Sequence, residues 1–256
     1  MEAPHPAARD VSAWTDLPGD PATGLLLIAD HASARVPDGI DLGVPAAMMA
    51  EHVAIDIGVA PLAAALCAAL GCPGILANVS RLVIDLNREE DAAGLIPETS
   101  DGRPIPGNSA LPSEARAGRI ARWWRPYHDH IAQAIAATSP KLLISLHSFT
   151  PCLATSSDPR PWQIGILYNQ DDRAARIALS LLAAAGVNAG DNLPYSGRLL
   201  NATMNRHGEA NGIAYLGIEV RQDLIGEAAG VAHWAALLAP VIDTVASALF
   251  PPAVRG

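Results

Sequence analysis

The chain has 256 residues, half of them apolar, which suffices for a hydrophobic core and sits at the upper end of what one core supports. Its 17 basic residues against 26 acidic ones give a formal charge of −9, which argues against nucleic acid or an anionic membrane as the main partner. Three cysteines without CxxC spacing give neither a disulfide framework nor a zinc–thiolate site, and the N-terminus lacks the pattern of a secretion signal, so a soluble cytoplasmic protein is expected.

In chain order, GLLLIAD (24–30) reads as a buried strand and VAPLAAALCAALG (59–71) as a helix with Pro61 in its first turn and Gly71 as its stop. PGILANVSRLVIDLN (73–87) supplies further strand material, and 89–112 is a long proline-rich loop of a length that suggests function or disorder. Residues 113–138 open with a serine cap at Ser113 and run as a helix interrupted near Pro126. Strands come next at 141–147 and 162–169, then a helix at 172–186, a strand at 213–221 and a closing helix over roughly 226–249. Strands alternating with helices predict an α/β layered fold around a mixed, mostly parallel sheet. No repeat or linker divides the chain, so one domain over 1–256 is expected, with a short N-terminal extension over residues 1–20.

Sites in open α/β sheets lie beyond the carboxyl ends of the strands. The first strand ends in Asp30-His31, the 73–87 run in Asp85-Leu86-Asn87-Arg88, the next in His147-Ser148 and the last in Glu219-Val220-Arg221. Two histidines with one carboxylate are a common catalytic zinc set, which makes His31 and His147 candidate ligands. Asp56 is the preferred third ligand and Asp30 the alternative; Asp56 reads equally well as a helix cap. In IAYLGIEVR the alternation puts Tyr215, Gly217, Glu219 and Arg221 on one face, with Leu216, Ile218 and Val220 behind. Glu219 amid that apolar run is either half of an internal salt bridge or a general base. Ser148 has no GxSxG setting, which speaks against a serine nucleophile.

SRLVIDLNRE, LHSFTP, DNLPYSG, TMNRHGE and GIEVRQDLI, with ADHASARVP and HVAIDIG upstream, resemble the N-formylglutamate amidohydrolase family over about Leu25 to Trp234. The resemblance implies a three-layer α/β/α sandwich of the phosphorylase/hydrolase type, shared with zinc carboxypeptidases and aspartoacylases. It implies a zinc or other divalent ion on His31, Asp56 and His147, Glu219 as base, and Arg81 polarising the scissile carbonyl or helping to grip the substrate carboxylate. Asn87 and Arg88 would grip the carboxylate of a small N-acyl amino acid, with Asp85 bracing the arginines. Ser148, Tyr195, His207 and Arg221 are further candidate substrate contacts, although the segments of Tyr195 and His207 read equally as scaffold turns. The HxxE signature of carboxypeptidases is absent, Ala34 standing where its Glu would be, and the third ligand is therefore sought at Asp56. A zinc peptidase or cell-wall amidase, and a non-catalytic binder of acidic metabolites, are the competing readings.

Overall fold

The computed structural model describes residues 12–251. Of the N-terminal extension expected over 1–20, residues 1–11 lie outside the described part, while Trp14–Leu17 forms β1, too short and too exposed to show a pattern. The next elements are β2 (Leu25–Ala29), α1 (Val59–Leu70), β3 (Gly74–Ala77), β4 (Thr99–Ser100), β5 (Arg103–Pro104), α2 (Ser113–Arg119) and α3 (Arg125–Thr138). Then come β6 (Leu142–Phe149), β7 (Ile164–Leu167), α4 (Arg173–Ala184), β8 (Ala189–Asp191), α5 (Ala202–His207), β9 (Ala214–Arg221) and α6 (Ala228–Leu249).

Seven strands form one sheet in the order β1-β3-β2-β6-β9-β7-β8. The central strands β3, β2, β6 and β9 are mutually parallel, and β1 and β7 pair antiparallel at either side of that block. Burial on both faces explains the unbroken apolar run of β2 and the wholly buried length of β6, where alternation would mark a half-exposed strand. On one face Leu27, Ile144 and Leu216 pack with Leu66 of α1, Ala178 of α4 and Leu238 of α6; on the other, Ile28, Leu143 and Tyr215 pack with Tyr127 and Ile131 of α3. The predicted alternation of β9 holds, with Leu216, Ile218 and Val220 facing the α1, α4 and α6 layer.

Three local expectations change. The 73–87 run leaves the sheet at Ala77; Val83 and Ile84 both donate their amides to Ser80 O, and the segment coils in turns. Arg81 and Asp85 therefore meet at 3.2 Å, which residues four apart in a strand could not do. Ser113 caps nothing: it is the first residue of α2, behind Pro112, and Pro126 enters the first turn of α3 after a π-helical segment, Ile120–Trp124. The 89–112 loop is built rather than disordered: it carries the β4–β5 hairpin, whose Asp101-Gly102 turn has φ of 45° and 74° at its two centres. Asp-Gly is a strong hairpin signal, legible in the residues alone.

Candidate active site

The parallel strands deliver their carboxyl ends to one edge. β2 ends one residue before Asp30-His31, and in the β6–β9 ladder His147 stands directly beside Glu219. Gly165 of β7 faces Glu219 on its other side and leaves that flank without a side chain. Asp56 reaches the edge from the loop before α1, tied there by its amide to His31 O at 3.0 Å. Gly58, at φ 80°, turns the chain into the helix, and a Cβ there would meet Ile225 O at 2.3 Å.

His31, Asp56 and His147 are buried together, each offering a ligand atom within 4.8 Å of the others, a set that could hold a metal ion. Asp56 Oδ2 lies 2.9 Å from His147 Nδ1 and 3.4 Å from His31 Nδ1. The outer nitrogens face carboxylates as well: His31 Nε2 is 2.7 Å from Asp85 Oδ1, and His147 Nε2 is 3.4 Å from Asp30 Oδ2. Carboxylates behind both imidazoles are the usual backing of histidine metal ligands. Among the described residues, His31 Nδ1 and Glu219 Oε2 are buried with no hydrogen-bond partner, as suits groups that serve a cation and its ligands. The Asp56 carboxylate does not cap α1.

The charges are strongly coupled. Burial alone would lower the His147 pKa, but hydrogen bonds to Asp30 and Asp56 raise it well above the ordinary imidazole range. Burial would likewise raise Asp56 and Asp85, yet His31 and Arg81 hold both carboxyls below their usual range. Glu219 goes the other way: burial, opposed by His147 and aided by Asp56, pushes it up to about 7. No salt bridge to Arg88 or Arg221 takes up its carboxylate among the described residues.

The cavity over this cluster has a volume of about 290 Å³. Arg81 lines it with Nη1 on Asp56 and Nη2 on Asp85, both at 3.2 Å. Asn87 Oδ1 accepts from Thr203 N at 3.0 Å, which leaves the Nδ2 donor for the cavity it lines. Arg88 also lines the cavity, and Trp124 Nε1 anchors its carbonyl at 2.9 Å. Ser148 and Tyr195 are in the wall; Ser148 Oγ donates to Ile57 O, and the Tyr195 hydroxyl accepts from Arg160.

Two expected substrate contacts stand elsewhere. Arg221 shares the β9 face of Glu219, but its guanidinium turns to Asp223 at the strand exit and does not line the cavity. His207 is buried against His128, its Nε2 3.0 Å from His128 Nδ1. His128 Nε2 donates to Leu86 O at 3.0 Å, so the pair braces the Asn87-Arg88 segment from behind. Sequence reasoning missed Asp30 as the partner of His147, Tyr127, whose hydroxyl donates to Asp30 Oδ1 at 2.9 Å, and His52 and Asp101 in the cavity wall. Asp30 had a signal, as it precedes a candidate ligand; the others come from distant segments and had none.

The sequence model of the N-formylglutamate amidohydrolase family matches residues 23–226. The N-formylglutamate deformylase of Pseudomonas aeruginosa is 40% identical over 77 residues, which cover 26% of this chain and 29% of that protein, so the match spans under a third of that relative. Among solved structures, a gene product of Agrobacterium tumefaciens superposes with a TM-score of 0.87 at 29% identity, over 94% of this chain and 97% of that one. The N-formylglutamate amidohydrolase of Ralstonia eutropha shares the fold with a TM-score of 0.74 at 20% identity, over 93% and 98% of the two chains.

Proposed function

Because this chain belongs to the N-formylglutamate amidohydrolase family, we propose that it is a metal-dependent hydrolase of small N-acyl amino acids, with N-formyl-L-glutamate the foremost substrate and L-glutamate and formate the products. The observation that carries this reading is the buried His31–Asp56–His147 set with a carboxylate behind each imidazole. Two nitrogens and one carboxylate oxygen suit zinc or a similar divalent ion. Such an ion, when bound, supplies a Lewis acid that polarises oxygen and makes water acidic enough to attack at neutral pH.

The remaining roles fall to side chains. Glu219, buried beside His147 with an unpartnered oxygen, takes the proton of the attacking water and returns it to the departing amine. Arg81, fixed at two nitrogens by Asp56 and Asp85, holds its positive charge towards the oxygen that becomes negative as the carbonyl is attacked. Asn87 Nδ2 and the Arg88 guanidinium receive the substrate's α-carboxylate, a planar fork with a neutral donor beside it. A cavity of about 290 Å³ suits an acyl amino acid better than a peptide or a glycan strand.

Glu219→Gln tests the assignment. Turnover should fall about 10²–10⁴-fold, the usual contribution of a general base, while the metal content of the purified protein stays near that of the native chain. A variant that hydrolyses N-formyl-L-glutamate at the native rate removes Glu219 from the mechanism.

A further inference from the structure

N-Formyl-L-glutamate brings two carboxylates to the cavity, and a role for His52 in binding the second rests on that choice of substrate. Asn87 and Arg88 account for the first. Among the described residues lining the cavity, the other basic side chains are His31 and His147, which face Asp56; Arg81, taken by Asp56 and Asp85; and His52. His52 alone of these is neither part of the metal set nor already held by two carboxylates.

We infer that His52 recognises the side-chain carboxylate of the substrate, positioned by Asp101. Asp101 stands at the tip of the β4–β5 hairpin and is fixed on four sides: Oδ1 accepts from Thr155 N at 3.0 Å and Thr155 Oγ1 at 2.7 Å, while Oδ2 accepts from Ala154 N at 2.8 Å and meets His52 Nε2 at 3.1 Å. Burial alone would raise the Asp101 pKa, but the Ala154 and Thr155 donors hold it down to about 2, so a charged carboxylate lies against the imidazole. The same hairpin pairs Arg103 with Glu51, the residue before His52, and so immobilises the segment that carries the ring. The His52 side chain remains 26% exposed at the wall. With Nε2 donating to Asp101, a proton on Nδ1 is left for a second acceptor, which an incoming carboxylate supplies. A neutral amide in the same place offers no such charge. His52 thus becomes the specificity-determining residue for an acidic side chain, and Asp101 its positioning residue.

The test compares N-formyl-L-glutamate with N-formyl-L-glutamine, which replaces the side-chain carboxylate by a neutral carboxamide of nearly the same shape, on the metal-loaded native protein and on His52→Gln and His52→Lys. The native protein should favour the glutamate substrate in kcat/KM. His52→Gln should shrink that preference about 10–100-fold, chiefly through KM, with metal content unchanged, and His52→Lys, which restores a cation, should recover part of it. If the native protein treats the two substrates alike, or His52→Gln keeps the native ratio, the inference is overturned and the amidohydrolase reading stands. A native protein that hydrolyses neither substrate nor any other N-formyl amino acid brings down the functional reading itself. Should His52→Gln not fold, the native ratio and His52→Lys decide, a Lys variant without any glutamate preference counting against the role of charge at this position.

Discussion

Asp30 receives the Tyr127 hydroxyl on Oδ1 at 2.9 Å and turns Oδ2 to His147 Nε2 at 3.4 Å, in full burial. A carboxylate fixed this way sets the orientation and tautomer of the imidazole, leaving Nδ1 on the side of Asp56 and His31. Asp30→Asn keeps the shape and loses the charge. It should weaken metal binding about 10–100-fold, measured by competition with a chromophoric chelator, and an unchanged affinity would show that Asp30 only fills space. At this scale the sequence was partly legible. His31, His147 and Glu219 announced themselves as polar residues at apolar strand ends, and Asp56 by its place just before a helix, with the family resemblance in support. What a linear reading could not supply was direction. Arg221 keeps the alternation of Glu219 yet leans to Asp223, and His207 sits in a motif that resembles the family's and meets another histidine instead of the cavity.

Between α3 and α5, His128 and His207 form a buried neutral pair whose hydrogen bonds run from His207 to His128 and on to Leu86 O. Burial, with Arg206 nearby, lowers both pKa values to about 4. Unfolded imidazoles titrate near 6.5. The unfolded chain therefore binds protons that the folded one refuses between about pH 6.5 and pH 4, and stability falls as the pH drops through that window. The slope is on the order of 1 kcal/mol per pH unit for each ring. His207→Gln removes one titrating partner, so its urea midpoint should fall less between pH 7 and pH 4.5 than the native midpoint does. Carboxylates elsewhere act equally on both proteins and cancel; identical pH dependences would mean that the pair does not oppose protonation. The elements on either side, α3 and the strands, followed from periodicity. The turn-rich 78–88 segment did not, because its apolar residues, Val79, Leu82, Val83, Ile84 and Leu86, read like those of a strand and are buried just as deeply. Ser80, whose hydroxyl holds Leu82 N and Ala54 O, was the one local sign that the backbone would turn there.

Across the whole molecule, alternation of strands and helices made the α/β layering predictable, whereas the strand order joins segments far apart in sequence and required the tertiary structure. That order puts β2, β6 and β9 side by side, and it is why His31, His147 and Glu219 meet although up to 188 positions separate them. The edge they share concentrates Asp30, Asp56, Asp85 and Glu219 in burial against His31, His147 and Arg81. Carboxylates packed this closely in a low-dielectric interior repel one another, and a divalent ion among them relieves the repulsion. The unfolded chain scatters the same ligands and cannot bind the ion as tightly, so metal binding is linked to folding. At a free ion concentration about 100 times Kd the linkage contributes about 2.7 kcal/mol, which in a chain of this size moves the melting temperature by roughly 5–10 °C. Scanning calorimetry should show a fall of that order after chelation and its recovery on adding zinc, with His31→Ala insensitive to both treatments. A melting temperature that ignores chelator and zinc alike would mean that the buried cluster balances its own charge, and the proposed hydrolase would be left without the ion on which its water depends.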